Sequence, residues 1–318
     1  MVSINQSSSD DNDYHFISLD YRYGTYNDIQ PFLRKSIQSL SNSILILGCG
    51  NSDFSSLLYD DGYHRITNID FSELVIEEMK VKNISRHHMK WLVQDMTNMS
   101  KSLVEEEVVV AVVGERDVVS YDIIFDKGAL DALHSMDTSE SHHEACKMFN
   151  EIHILMDEYS RYICITLAQD FILQSLLHYF LQFNNDDNSP YYYRITIHRL
   201  HTKVESSLLP FYIELQKLSK AKTITTINHN NNTIMKKNPS ISLFINQFSE
   251  SIDHPRHFGS SDSDITAVVS SIGVIQSYYQ KQIKLTQFQL GGVLMSIHIY
   301  LLSSSSSLSS SYLSLLTQ

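Results

Sequence analysis

Basic residues are scarce in this chain. Lysine and arginine number 24 against 36 acids in 318 residues, and the net charge of −12 leaves no basic excess to neutralise nucleic-acid phosphates. Nucleic acid is therefore not an expected partner, whereas a basic protein surface is compatible with such a charge. Cysteine is sparse too: Cys49, Cys146 and Cys164 stand far apart with no CxxC pair, the pattern of reduced thiols in an intracellular protein. No HExxH, GxSxG or P-loop pattern occurs. His142-His143-Glu144 has the HxE spacing of a zinc deaminase but lacks the Pro-Cys-x-x-Cys partner, so the fifteen histidines read as scattered residues and no metal is expected. Long apolar runs are missing as well. Phe288 to Leu302 falls short of the ~20 residues that span a bilayer and is interrupted by His298. Residues 1 to 13 are polar and acidic, without the apolar core of a secretory signal or the arginine-rich face of a transit peptide. The expected location is cytoplasmic, away from membranes.

What is present is organised around Ser43 to Asn51. Four apolar residues, Ile44 to Leu47, run into Gly48 and Gly50, which predicts a strand buried on both faces that ends in a tight turn. Asn51-Ser52-Asp53, followed by Phe54, Leu57 and Leu58, then predicts a helix. Such a strand, glycine turn and helix make room for a cofactor at the carboxyl end of a parallel sheet. The next strand, Arg65 to Asp70, ends in a carboxylate about 20 residues beyond the glycines, where a ribose-binding acid belongs. A dinucleotide fingerprint places a third small residue under the pyrophosphate. Here that position is Asp53, whose charge repels phosphates, so the turn suits a ligand without them, S-adenosylmethionine.

Periodicity carries the pattern onward. A helix is predicted over Ile29 to Leu40, preceded by the aromatic stretch Leu19 to Tyr26, which reads either as a lid over the sheet or as a ligand contact. Ser72 to Val81 is amphipathic. The strand Met89 to Asp95 ends in a third carboxylate beside Met96, a pair that suits the edge and face of an adenine ring or else marks a solvated loop. Leu103 to Val119, rich in valine, reads as a hairpin-like insertion or irregular loop with no chemistry assigned. The strand Tyr121 to Asp126 follows, then a turn into a helix through Leu133, a helix over about Ser141 to Met156, a strand over Tyr162 to Leu167 and a helix over Ala168 to Phe183. Two strands close the series, Tyr191 to Leu200 and Leu209 to Leu215, with no helix between them. The expected fold is α/β, a doubly wound, mostly parallel seven-stranded Rossmann-like sheet with an antiparallel edge strand. The expected organisation is a disordered N-terminus (1–18), the sheet domain (19–218), a polar flexible insertion (219–263), a helical and apolar segment (264–302) and a low-complexity tail (303–318).

Six stretches carry a family resemblance: Tyr23 to Tyr26, Leu47 to Ser52, Asn68 to Ser72, Gln94 to Thr97, Asp126-Lys-Gly-Ala-Leu-Asp-Ala-Leu133 and Arg161 to Gln169. Through them residues 20 to 218 resemble the class I S-adenosylmethionine-dependent methyltransferases, and most of all the amino-terminal domain of the lysine and N-terminal methyltransferases of elongation factor 1-alpha. The resemblance implies that Gly48, Cys49, Gly50 and Asn51 back the methionine part of S-adenosylmethionine. It implies that Asp70, with Phe71 beside it, holds the ribose, and that Asp95 with Met96 borders the adenine. Asp126 and Lys127 are expected to touch the cofactor too, with Asp126 on the side where the methyl group leaves and Asp126 and Tyr26 the expected catalytic residues. Tyr23 stands where the family often has tryptophan, and the valine-rich insertion interrupts the approach to the fourth strand. Full-length members carry a second methyltransferase domain, which this chain is expected to lack. The family associates its amino-terminal domain with lysine, so the expected reaction is methylation of a protein lysine, on elongation factor 1-alpha. Two other readings keep the cofactor: a different protein or small-molecule acceptor, and a catalytically silent scaffold. The joint presence of Gly48, Gly50, Asp70, Asp95 and Asp126 favours an enzyme.

Overall fold

The computed structural model describes residues 22–103, 119–200, 202, 208–220, 240–244 and 255–286. The valine-rich stretch from 104 to 118, the tail from 303 and the apolar run from 288 lie outside them.

Two central strands, β1 (Ile44–Leu47) and β2 (Ile66–Asp70), are buried along their whole length, as parallel strands covered on both faces must be. With β3 (Lys90–Val93), β4 (Tyr121–Lys127), β5 (Met156–Thr166), β6 (Tyr191–Arg199) and β7 (Phe211–Ser219) they form one sheet in the order β3-β2-β1-β4-β5-β7-β6. Strands β1 to β5 pair in parallel, and β7 inserts antiparallel between β5 and β6. As far as β6 this is the expected doubly wound, mostly parallel seven-stranded sheet with an antiparallel strand near its edge. The sheet then continues past the expected edge. β8 (Ile241–Phe244) pairs in parallel with β6, and β9 (Arg256–Phe258) closes the sheet as a ninth strand. Both fall in the stretch expected to be a polar flexible insertion, and β8 buries Ile241 and Leu243 completely or nearly so.

Strand alternation distributes the core to both faces. Ile44, Ile46 and Ile66 point into a cluster built with Ile29 and Leu33 of α1 (Tyr26–Ser36), Phe54 and Leu58 of α2 (Phe54–Asp60), and Ile76 and Met79 of α3 (Glu73–Lys82). Leu45, Leu47 and Ile69 point the other way. They meet Leu130 of α4 (Ala129–Leu133), Phe149 and Ile152 of α5 (Ser139–Leu155), Leu176 and Phe180 of α6 (Asp170–Asn185), and Val268 and Ile272 of α7 (Asp262–Thr286). Helix α1 starts three residues earlier than its apolar spacing predicts. Thr25 caps it: its hydroxyl accepts from the Asp28 N–H, and the Asp28 carboxylate accepts from the Thr25 N–H at 2.9 Å. That cap fixes where the helix begins. No helix among the described residues is long and apolar enough to cross a membrane.

Candidate active site

The register places Leu47, the last residue of β1, opposite Asp126 on β4, while β2 flanks β1 on its other side. The strand order reverses between β1 and β4, so a crevice opens at their carboxyl ends. Gly48 and Gly50 both adopt φ +54°, in the left-handed region. Their surroundings differ. A Cβ on Gly48 would lie 2.8 Å from the Cβ of Ala129, whereas a Cβ on Gly50 meets nothing within 4 Å. The first glycine lets β1 pack against α4, and the second keeps the crevice open. We expect Gly48→Ala to lower thermal stability through backbone strain and a forced shift of α4, about 2 kcal/mol or more. Gly50→Ala, which meets no atom, should cost about 1 kcal/mol of stability yet weaken cofactor binding about tenfold or more, because the methyl occupies the crevice. Thermal melts and titration calorimetry on the pair separate the two effects.

Asp70 ties the turn in place. Its Oδ2 accepts from the Gly50 N–H at 2.9 Å and its Oδ1 from the Ser72 N–H at 3.0 Å, and the residue is 8% exposed. Phe71 beside it is 80% exposed, a bare aromatic face at the crevice rim. Cys49 contributes backbone: its N–H donates to Ile69 O at 2.9 Å, and burial, reinforced by Asp70, pushes its thiol up to about 12. Asn51 is exposed, as is Asp53, which pairs with Lys82 at 2.5 Å. Asp95 is exposed and its Oδ1 accepts from the Thr97 N–H and hydroxyl, each at 2.8 Å, while half-buried Met96 packs on the core.

The expected acceptor side is built by β4 and the turn into α4. Asp126 has no solvent exposure at all. Its Oδ1 accepts from the Ala129 N–H at 2.7 Å, and its Oδ2 from the Leu130 N–H at 3.1 Å and the Tyr162 hydroxyl at 3.0 Å. Desolvation, with Asp131 nearby, lifts its carboxyl to about 7 against these hydrogen bonds. The structure thus places the Asp126 carboxylate inside the fold, bonded to the turn that follows β4. Asp126 lies beneath the β4–α4 turn and holds it, and half-buried Lys127 follows on the alternate side of the strand. Nor is Tyr26 brought to Asp126. Its hydroxyl donates to Asp61 at 2.8 Å and its ring meets Phe54 edge-on at 5.3 Å, so as the first residue of α1 it turns toward α2.

Two other residues of the quoted motifs, Tyr23 and Asp131, lie at this turn. Tyr23 lies directly on the turn: a Cβ on Gly128, at φ +79°, would come within 2.7 Å of its ring. Burial, then Asp131 and Asp126, raises its hydroxyl well above the ordinary tyrosine range. Asp131 is 8% exposed, and its Oδ1 accepts from the Leu167 N–H at 3.0 Å. Its Oδ2 is one of three buried side-chain atoms among the described residues with no hydrogen-bond partner of good geometry. Burial lifts this carboxyl to about 6, with the Leu167 N–H and the Thr166 hydroxyl acting against the shift. The signal for Asp131 was in the sequence, as the second carboxylate of Asp126 to Leu133.

No protein-family model matches the chain. The eEF1A lysine and N-terminal methyltransferase of Mus musculus is 36% identical over 159 residues, which is 50% of this chain and 20% of that protein. Its homolog in Drosophila melanogaster is 36% identical over 163 residues, 51% of this chain and 22% of that one. EEF1A lysine methyltransferase 4 of Bos taurus is 25% identical over 152 residues, covering 46% and 53%. Among solved structures, the N-methyltransferase NodS of Bradyrhizobium japonicum with S-adenosyl-L-homocysteine aligns at TM-score 0.43 and 13% identity over 65% of this chain and 93% of that one. The chain spans about a fifth of the length of the eEF1A lysine and N-terminal methyltransferases it matches. Over half of its own length, it is a sequence relative of those enzymes.

Proposed function

We propose that this chain is an S-adenosylmethionine-dependent methyltransferase acting on a protein lysine, with elongation factor 1-alpha as its substrate. The observation that carries the cofactor is the tie between Asp70 and the open glycine turn at the switch point. The residues present fit the group. The bare backbone at Gly50 admits its amino-acid portion, Asp70 has lone pairs left for ribose hydroxyls, and exposed Phe71 with Met96 offers apolar faces for a base. Asp53 at the third position argues against a pyrophosphate there. When bound, the cofactor supplies a methyl group already activated on a sulfonium.

The chain's own task is then placement. Holding reactants at near-attack distance can contribute ~7 to 11 kcal/mol. A lysine, ordinarily near pKa ~10.4, must be neutral to react, and burial lowers that value. Asp131, 8% exposed and with an Oδ2 that lacks a partner of good geometry, orients the amine, and Tyr23 closes the turn beside it. Asp126 acts through α4 as a positioning residue. The lysine assignment is supported by the names of relatives at 36% and 25% identity, and the net charge of −12 suits a basic protein segment.

The test is methyl transfer from radiolabelled S-adenosylmethionine to purified elongation factor 1-alpha, with the modified residue located by mass spectrometry. We expect label on lysine, absent with Asp70→Ala. Cofactor binding without label on this protein would overturn the substrate assignment, and no cofactor binding would overturn the activity.

A further inference from the structure

Between the carboxyl end of β5, the residues leading into β7 and helix α7 lies a cleft of about 480 Å³. That volume falls within the ~300 to 1,000 Å³ of ordinary ligand sites. Its walls are built by backbone as much as by side chains. Gln276 of α7, 7% exposed, donates to Leu167 O at 2.9 Å and Leu209 O at 2.8 Å and accepts from the Leu209 N–H at 2.8 Å, so one amide pins three elements together. At the β5 end Ala168 adopts φ +49°, a left-handed conformation that costs a residue with a Cβ about 1 kcal/mol or more and persists only where surroundings impose it. Opposite, α7 presents Gly273, where a Cβ would come 3.6 Å from an Asp170 oxygen. Among the described residues the lining carries one carboxylate, Asp170, three glutamine amides, the Ser277 hydroxyl and the Phe171 ring, and no lysine or arginine.

We infer that this cleft receives the lysine-bearing segment of the protein substrate, a basic extended peptide. The inference rests on the methyl-transfer reading and extends it to a second surface. Charge favours a cation, since an exposed carboxylate stands at the cleft and the described lining residues include no basic side chain. Connection favours the acceptor: Leu167, whose carbonyl Gln276 holds in the cleft wall, donates its N–H to Asp131, which leads directly to the unpaired oxygen beside the β4 turn. Helix α7 belongs to this site, although its sequence signals nothing more than an additional helix.

The experiment compares wild type with Asp170→Lys, Gly273→Leu and a charge-matched control, Glu77→Lys on the exposed face of α3, at the far end of the sheet. Two readouts are taken on the full chain: binding of a fluorescein-labelled lysine decamer by anisotropy, and steady-state methylation of elongation factor 1-alpha. Asp170→Lys is expected to weaken decamer binding about tenfold or more, and Glu77→Lys by less than about threefold through net charge alone. Gly273→Leu, which fills the cleft, should raise KM for the protein about tenfold, with the Kd for S-adenosylmethionine unchanged in every variant. Equal weakening by both charge reversals, or an unchanged KM in Gly273→Leu, overturns the inference. A wild type that binds the decamer through Asp170 but transfers no methyl to elongation factor 1-alpha instead overturns that substrate assignment and leaves the cleft standing.

Discussion

Replacing Asp70 with alanine should lower the affinity for S-adenosylmethionine at least about 100-fold, the largest effect expected of any single substitution on binding. The carboxylate has about four lone-pair positions, of which two are taken by the Gly50 and Ser72 N–H groups. The remainder are free to accept from a pair of vicinal hydroxyls. Each hydrogen bond to a charged group contributes roughly 1.5 to 3 kcal/mol, and 1.4 kcal/mol is tenfold in binding. Loss of the two ribose contacts alone therefore reaches the 100-fold range, before the Gly48 to Gly50 turn loosens. Asp70→Asn keeps one acceptor oxygen and most of the shape, and its loss should stay near tenfold. Thermal stability should fall by only about 1 to 2 kcal/mol in the alanine variant, because the two stranded N–H groups lie at the crevice and water can reach them. Calorimetric titration read beside a melting curve separates these quantities. An alanine variant that bound cofactor within about threefold of wild type would remove Asp70 from the site.

The legibility of this site in the sequence followed from where its information is local. A buried strand run, two glycines and a carboxylate at the end of the next strand are read along the chain, and Ile44 to Asp70 folds as those residues predict. Orientation was not local. Whether Asp126 looks into the crevice or beneath the turn depends on its register against Cys164 and on α4 folding back so that its N–H groups reach the carboxylate. The different placement of Tyr26 and Tyr23 has a similar cause. Because Thr25 caps α1, Tyr26 is already helical and swings toward Asp61, while Tyr23, ahead of the cap, stays free to lie on Gly128. Strands β8 and β9 were hidden for another reason. Four and three residues long, they sit among Asn, Ser and His, and only their pairing with β6 and with each other makes them strands.

Asp126→Ala is expected to destabilise the fold by about 3 to 5 kcal/mol, because the Ala129 and Leu130 N–H groups and the Tyr162 hydroxyl are left buried without their acceptor at roughly 1 to 3 kcal/mol each. At roughly 2 to 4 °C per kcal/mol for a domain of this size, the melting temperature should fall by about 10 °C. Methyl transfer and cofactor affinity should then fall together, since α4 and the turn at Gly128 move with it. Asp126→Asn separates structure from charge. Its amide oxygen can still accept from one N–H, and the neutral side chain removes the desolvation that raises the Asp126 carboxyl to about 7. The pH dependence follows with a definite sign. Asp126, and Asp131 at about 6, both lie above the 3.8 of an unperturbed aspartate, so the unfolded chain ionises first and the folded chain binds more protons between about pH 4 and 7. Their contribution to stability is fully present below pH 4 and is lost as pH rises through 6 and 7. Asp126→Asn should flatten that decline when melting temperatures are followed across the range, gaining on wild type toward the alkaline end, where only wild type bears the buried charge. A catalytic carboxylate in contact with the acceptor would behave in the opposite way: alanine would abolish kcat while leaving the melting temperature and its pH profile where they were.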